Sequence, residues 1–247
     1  MKIGMVEEKR TLQVVAMHGW GRDARTWDSW RKATDSLGWR WQTGERGYGR
    51  FSPRAPAWPE HVAGMQRLVI GRSLGPHMVP AQVLAQADTV VLLASFATFV
   101  PPGREGRRTR TALAGMADCL GDVVRARAML EAFTTRVAAP QSPDLLPSGP
   151  LDGPLDESNR ARLREDLELL GRSDGLPAGF PQDARVLIVE AEDDRIVEPE
   201  ARRLLRESLP KAEVIAFPGI GHALLGCDVM ARVIEWVEKS RDRDLRL

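Results

Sequence analysis

Five short apolar runs constrain the fold of this chain more than any other feature: Leu12 to Met17 ("LQVVAM"), Leu68 to Ile70, Thr89 to Leu93 ("TVVLL"), Val186 to Val189 ("VLIV") and Val214 to Phe217. They are nearly continuous rather than alternating, which is the pattern of strands covered on both faces in a parallel sheet. Helix-patterned segments lie between and after them, at Ala24 to Ser36, Pro76 to Gln86, Pro199 to Leu209 and Val229 to Lys239. The last two carry clear apolar stripes, Leu204, Leu205 and Leu209 on one and Met230, Val233, Ile234 and Val237 on the other. Strand followed by helix, repeated, predicts an α/β fold with right-handed crossovers and a mostly parallel sheet flanked by helices.

That rhythm breaks once. Residues 96–182 hold helix-like pieces and a Pro-rich link ("APQSPDLLPSGPLDGP"), with no convincing strand. Their best periodic segment, "ESNRARLREDLELLGR", is expected to open with Ser158 or Asn159 as N-cap and to close near Gly171. The expected organisation is a core of residues 1–95 and 183–247, with 96–182 as a helical lid insertion over the strand ends, where such insertions shape binding pockets. The length of 247 residues fits one large domain with an insertion. A net charge of +1 gives no global field for nucleic acid, and no apolar run approaches the roughly 20 residues that span a bilayer. The start, "MKIGMVEEKRTLQ", reads as neither signal peptide nor anchor, so the expected location is the cytoplasm. Cys119 and Cys227 have neither metal-ligand spacing nor the density of a disulfide scaffold and read as free thiols.

The chemistry concentrates in three loops that follow predicted strands. "GRSLG" (residues 71–75) places Ser73 between two glycines directly after Leu68 to Ile70. Glycine at both flanks permits a sharp strand-to-helix turn with Ser73 at its apex; an ordinary surface turn is the competing reading. A serine hydroxyl needs a base, and the base needs a third group to hold its tautomer. The four histidines are His18, His61, His77 and His222, and of these His222 lies in a glycine-rich loop ("FPGIGHALLG") after a late strand. "VLIVEAEDDRIVEP" ends another strand in acids; Asp194 is favoured by its D-x-x-V setting, with Asp193 as the rival and Glu190 and Glu192 nearby. The amides of Leu74, after the nucleophile, and of Trp20, in "MHGWGRDARTW", are candidate donors to an oxyanion.

Taken together, HGWG after a strand, the GxSxG elbow, the D-x-x-V acid turn and the GHA loop resemble the α/β-hydrolase superfamily, whose triad follows the same chain order of Ser, Asp and His. "ERGYGRFSP" (residues 45–53) resembles the G-x-G-x-S loop of that family. The resemblance covers residues 12–95 and 184–238 and implies Ser73, Asp194 and His222 as catalytic residues with Trp20 and Leu74 as the oxyanion hole. It implies neither metal nor organic cofactor. HGWG, GRSLG and the compact lid further resemble the pimeloyl-acyl-carrier-protein methyl ester esterases of biotin synthesis, which implies an ester substrate on an acyl carrier protein. A generalist short-acyl esterase or thioesterase, or a silent binding scaffold, stays open beside it.

The lid segment "PPGREGRRTRTALAG" carries Arg104, Arg107, Arg108 and Arg110, which could pair with an acidic carrier or could simply be solvated. Trp20, Phe96 and Leu224 are expected pocket walls. His18 is expected to anchor the oxyanion loop, and His77 to pack or face solvent. Arg72 could touch substrate or make a structural salt bridge. The other tryptophans of the first 58 residues read as packing residues. Pro80 is expected to kink the helix behind the serine. No nucleic-acid or membrane partner is expected, and the chain is expected to act as a monomer.

Overall fold

Six parallel strands form one sheet in the order β2-β1-β3-β4-β5-β6. This computed structural model describes residues 12–59, 65–147 and 149–244; the N-terminal stretch read for a leader and His61 fall outside them, as does the Cys227 side chain. The strands are β1 (Leu12–Met17), β2 (Arg40–Thr43), β3 (Gln66–Arg72), β4 (Thr89–Leu93), β5 (Arg185–Ala191) and β6 (Glu213–Phe217). The helices are α1 (Asp28–Thr34), α2 (Ala81–Leu84), α3 (Arg107–Cys119), α4 (Val123–Ala138), α5 (Glu157–Arg172), α6 (Pro199–Ser208) and α7 (Cys227–Asp244).

The near-continuous apolar runs are explained by the two faces they serve. Val14, Ala16, Leu68, Ile70, Val91 and Leu93 join Trp27, Trp30 and Trp39 and the α7 residues Val229, Val233 and Val237 in one core. Their neighbours Val15, Met17, Val69, Val90 and Leu92 point the other way, toward Val83, Leu84 and Leu205. Side-chain period two sorts each strand between two dry layers, and each fully buried aliphatic contributes about 1.5–3 kcal/mol. β2 is the strand that no apolar run announced. Among the described residues it pairs with β1 alone, and its sequence RWQT is largely exposed.

Between β4 and β5 the main elements are α3, α4 and α5, with short 3-10 turns and one isolated bridge, Thr98 with Asp174. A third core lies here: Leu120, Leu130, Leu163, Leu167 and Leu170 pack with Trp20 and Leu74 from the carboxyl ends of the strands. The N-cap of α5 is Asp156, two residues before the earliest expected position. Its carboxylate accepts the Asn159 amide at 2.9 Å, while Asn159 Oδ1 accepts the Asp156 amide at 3.2 Å, a reciprocal pair that fixes the helix start. Gly171 lies inside α5, which runs one residue further, to Arg172.

The expected helix from Pro76 to Gln86 is broken. A 3-10 turn covers Gly75–Met78, Val79 is extended (φ −76°, ψ 130°), and α2 starts only after Pro80. Proline lacks the N–H that a continuous helix would need and disfavours helical backbone in the residue before it.

Candidate active site

The elbow is built by crowding. Ser73 sits at φ 53°, in the left-handed region, which costs a non-glycine residue about 1–2 kcal/mol. Two bonds hold it there: Ser73 N–H donates to the Leu93 carbonyl at 2.9 Å, and the Ser95 hydroxyl donates to the Ser73 carbonyl at 2.7 Å. A Cβ on Gly71 would lie 2.5 Å from Pro76 Cγ, and one on Gly75 would strike the Met17 carbonyl oxygen. Only glycine lets the turn nest against the end of β1. Ser95 carries no motif, and nothing in the sequence marked it.

The HGWG loop stacks on this turn; a Cβ on Gly19 would come within 3.1 Å of Ser73 Cβ. His18 is buried, with Nδ1 at 2.9 Å from the Gly19 carbonyl and Nε2 at 3.2 Å from the Arg46 amide nitrogen and 3.6 Å from Glu45 Oε1. The Trp20 indole N–H donates to the Leu163 carbonyl of α5 at 2.8 Å, and its ring meets Phe133 of α4 edge-on. Among the described residues neither the Trp20 amide nor the Leu74 amide donates a hydrogen bond.

At the end of β5, Asp194 is buried and Asp193 exposed, which separates the two rivals. Asp194 Oδ1 accepts the amides of Ile196 (2.7 Å) and Val197 (2.9 Å), which is what the D-x-x-V turn provides. Its Oδ2 lies 2.8 Å from His222 Nδ1. Burial alone would raise this carboxyl, but the His222 imidazole and the two amides together hold it below the usual carboxylate range. Glu190, the other nearby acid within the strand, is paired with Arg206 at 2.7 Å.

His222 is 4% exposed, in a loop that the end of α4 supports. Ala223 N–H donates to the Val137 carbonyl at 3.0 Å, and Leu224 turns back at φ 51° to donate to Gly221. Ser73 and His222 border the same cavity, although no hydrogen bond joins them among the described residues. Nucleophile–base contacts are often long until substrate is present.

The cavity has a volume of about 120 Å³, with Trp20, Ser73 and His222 on the sheet side and Met116, Phe133 and Leu167 from α3, α4 and α5 opposite. Several expected wall residues lie elsewhere. Phe96 is in the interior, stacked on His77 at 5.0 Å, and Phe99 takes the place at the cavity. Leu224 belongs to the core beneath the sheet. His77 is a packing residue, its Nε2 3.0 Å from the Phe96 carbonyl, and burial lowers its pKa. Of the four lid arginines only Arg108 lines the cavity. Arg110 is tied to the Pro101 and Gly103 carbonyls, and Arg104 and Arg107 are exposed. Among the described residues Arg72 makes no salt bridge; its Nη1 donates to the Ala223 carbonyl at 2.6 Å.

A network that the sequence did not announce joins the 45–53 loop to α5. Arg46 grips Asp166 through two bonds of 2.8 and 2.7 Å. The Tyr48 phenol, raised far above its ordinary pKa by burial and then by the Asp166 charge, donates to the same carboxylate at 2.5 Å. Asn159 Nδ2 adds bonds to the Gly47 and Gly49 carbonyls.

Comparison with solved structures supplies the deciding observation. An esterase from Exiguobacterium antarcticum superposes with a TM-score of 0.67 at 16% identity, over 94% of this chain and 92% of that one. The chain has the α/β-hydrolase fold. An esterase from Rhodococcus (TM-score 0.63, 18% identity, 94% and 90% covered) and an enol-lactonase from Burkholderia xenovorans (0.64, 16%, 94% and 91%) share this α/β-hydrolase architecture. No protein-family model and no curated protein matches the sequence. Among the described residues no trio of His, Cys, Asp or Glu could hold a metal ion, and no helix is long and apolar enough to cross a membrane.

Proposed function

We propose that this protein is a serine carboxyl-ester hydrolase. The observation that carries the reading is the Asp194–His222 bond of 2.8 Å, bordering the same cavity as a serine held on a left-handed turn. His222 Nε2 takes the proton as Ser73 Oγ attacks the ester carbonyl, and Asp194 keeps the Nδ1 proton in place and stabilises the imidazolium. The Trp20 and Leu74 amides receive the oxyanion. The protonated imidazole then gives its proton to the departing alcohol. Water, activated by the same base, releases the acid from Ser73. The esterases and the enol-lactonase among the structural neighbours support carboxyl-ester chemistry.

For substrate, the finer reading is a methyl ester carried on an acyl carrier protein, of the pimeloyl type used in biotin synthesis. It is supported by Arg104, Arg107 and Arg108, exposed at and before the start of α3. Cations at a helix N-terminus oppose the helix dipole, so helix stability does not account for them. A generalist esterase is the second reading, favoured by the esterases of the same architecture.

Two experiments test these points. A fluorophosphonate probe is expected to label Ser73 and to leave the Ser73→Ala variant unlabelled; a wild type that neither reacts nor hydrolyses p-nitrophenyl esters refutes the hydrolase. Reversing Arg104, Arg107 and Arg108 to glutamate is expected to raise KM for a carrier-linked methyl ester more than for the free ester, and most at low salt. Equal effects on both refute carrier docking.

A further inference from the structure

The charge of the cavity is out of proportion to that of the chain. The protein carries a net charge of +1, yet five arginines border the cavity, with Glu198 as the one carboxylate. Arg108, Arg136 and Arg195 are exposed. Arg22 and Arg72 are not: Arg22 is 9% exposed, and Arg72, directly before the nucleophile, is half-buried. Among the described residues each guanidinium meets one main-chain carbonyl, Arg22 that of Pro147 and Arg72 that of Ala223, which uses a single donor of the five that a guanidinium offers. Among the described residues no carboxylate lies within salt-bridge distance of either.

The two cations also feel each other. Burial first, and then the charge of Arg22, push the Arg72 guanidinium down to about 10. Burial likewise lowers Arg22, with Asp23 partly offsetting it. Among the described residues the buried Arg72 Nε and the buried Thr109 hydroxyl, both on residues of this cavity, have no hydrogen-bond partner. Two like charges drawn out of water with no carboxylate in direct contact, Asp23 and Asp152 acting on Arg22 only from further off, are costly, and a planar anion that accepts from both converts the repulsion into charge-assisted hydrogen bonds.

We propose that Arg22 and Arg72 form a carboxylate subsite, and that the ester hydrolysed here is a half-ester of a dicarboxylic acid whose free carboxylate binds them. The inference rests on the hydrolase reading for its reaction and goes with the carrier-free reading of the substrate, because a carrier-linked diacid has its second carboxyl tied up as a thioester. Water cleaves the ester end to alcohol and a second carboxylate, and the proton released goes to solvent.

The test separates binding from turnover. Calorimetry on Ser73→Ala, with monomethyl esters from succinate to suberate and the matched dimethyl diesters, is expected to show the best half-ester bound at least about tenfold more tightly than its diester. Adding Arg22→Met is expected to erase that preference, and Arg72→Met to do the same. The Arg22 guanidinium bonds to the Pro147 carbonyl, and only its main-chain N–H, which a substitution keeps, meets the HGWG loop, at the Gly19 carbonyl (3.3 Å), so its variant still reports if Arg72→Met loosens the Ala223 turn. Equal affinity for half-ester and diester, or a preference that survives Arg22→Met, overturns the subsite. Arginine-dependent binding by a wild type that turns over neither ester upholds the subsite and sinks the hydrolase. Turnover of both with equal kcat/KM sinks the subsite alone.

Discussion

Asp194→Asn is the sharpest perturbation of the proposed chemistry, because the surroundings dictate how the new amide must sit. Oδ1 of the native carboxylate accepts two main-chain amides, at 2.7 and 2.9 Å, while Oδ2 faces His222 Nδ1 at 2.8 Å. An asparagine must keep its oxygen toward Ile196 and Val197, since the flipped amide would set NH₂ against two N–H donors. Its NH₂ therefore points at Nδ1, which must become the acceptor, and the ring proton moves to Nε2. That nitrogen can then no longer take a proton from Ser73. Loss of the correct tautomer is worth about 10³–10⁴ in kcat, or roughly 4–5.5 kcal/mol of barrier. Stopped-flow hydrolysis of a p-nitrophenyl ester, read against burst titration of active sites, measures it. A variant with kcat within tenfold of wild type and an unchanged fold would refute the base assignment.

The same substitution has a pH signature. The Asp194 carboxyl is depressed in the folded protein, so its ionisation stabilises the fold above the unfolded-state pKa. That contribution is lost as pH falls through the lower folded-state value. The gap in Tm between wild type and Asp194→Asn is therefore expected to narrow below the ordinary carboxylate range.

Gly75→Ala drives a Cβ into the Met17 carbonyl, which is backbone and cannot yield, and is expected to cost about 3 kcal/mol in urea denaturation. Gly115→Ala, within α3 with nothing inside 4 Å of the new methyl, is expected to stabilise by about 0.5–1 kcal/mol in the same assay. Arg46→Met leaves the 2% exposed Asp166 carboxylate with Tyr48 in place of a bidentate cation, and is expected to cost about 3 kcal/mol. A loss under about 1 kcal/mol would show that the pair does not secure α5.

The sheet was legible because its inner strands are buried on both faces, so that runs such as TVVLL cannot hide among polar residues. β2 was not, since a strand half in water needs no apolar signature. Ser73, Asp194 and His222 could be nominated from loops whose glycines and turn residues are local. What was hidden depends on partners far along the chain: Asp166 meets Tyr48 across 118 positions, and Ser95 acts through its fold neighbour rather than through any pattern around it. Pocket walls failed for the same reason. Phe96 leaves β4 in the expected direction, but its ring turns inward onto His77, and only the packing of α3 to α5 decides which aromatic reaches the cavity.

The tether from the Trp20 indole to the Leu163 carbonyl has a mechanical corollary. One residue is both bolted to a helix over the cavity and responsible, through its own main chain, for half of the proposed cradle beside Ser73. On the proposed chemistry, the placement of the Trp20 amide beside Ser73 therefore depends on where α5 holds the indole, although helix and amide are far apart in the sequence.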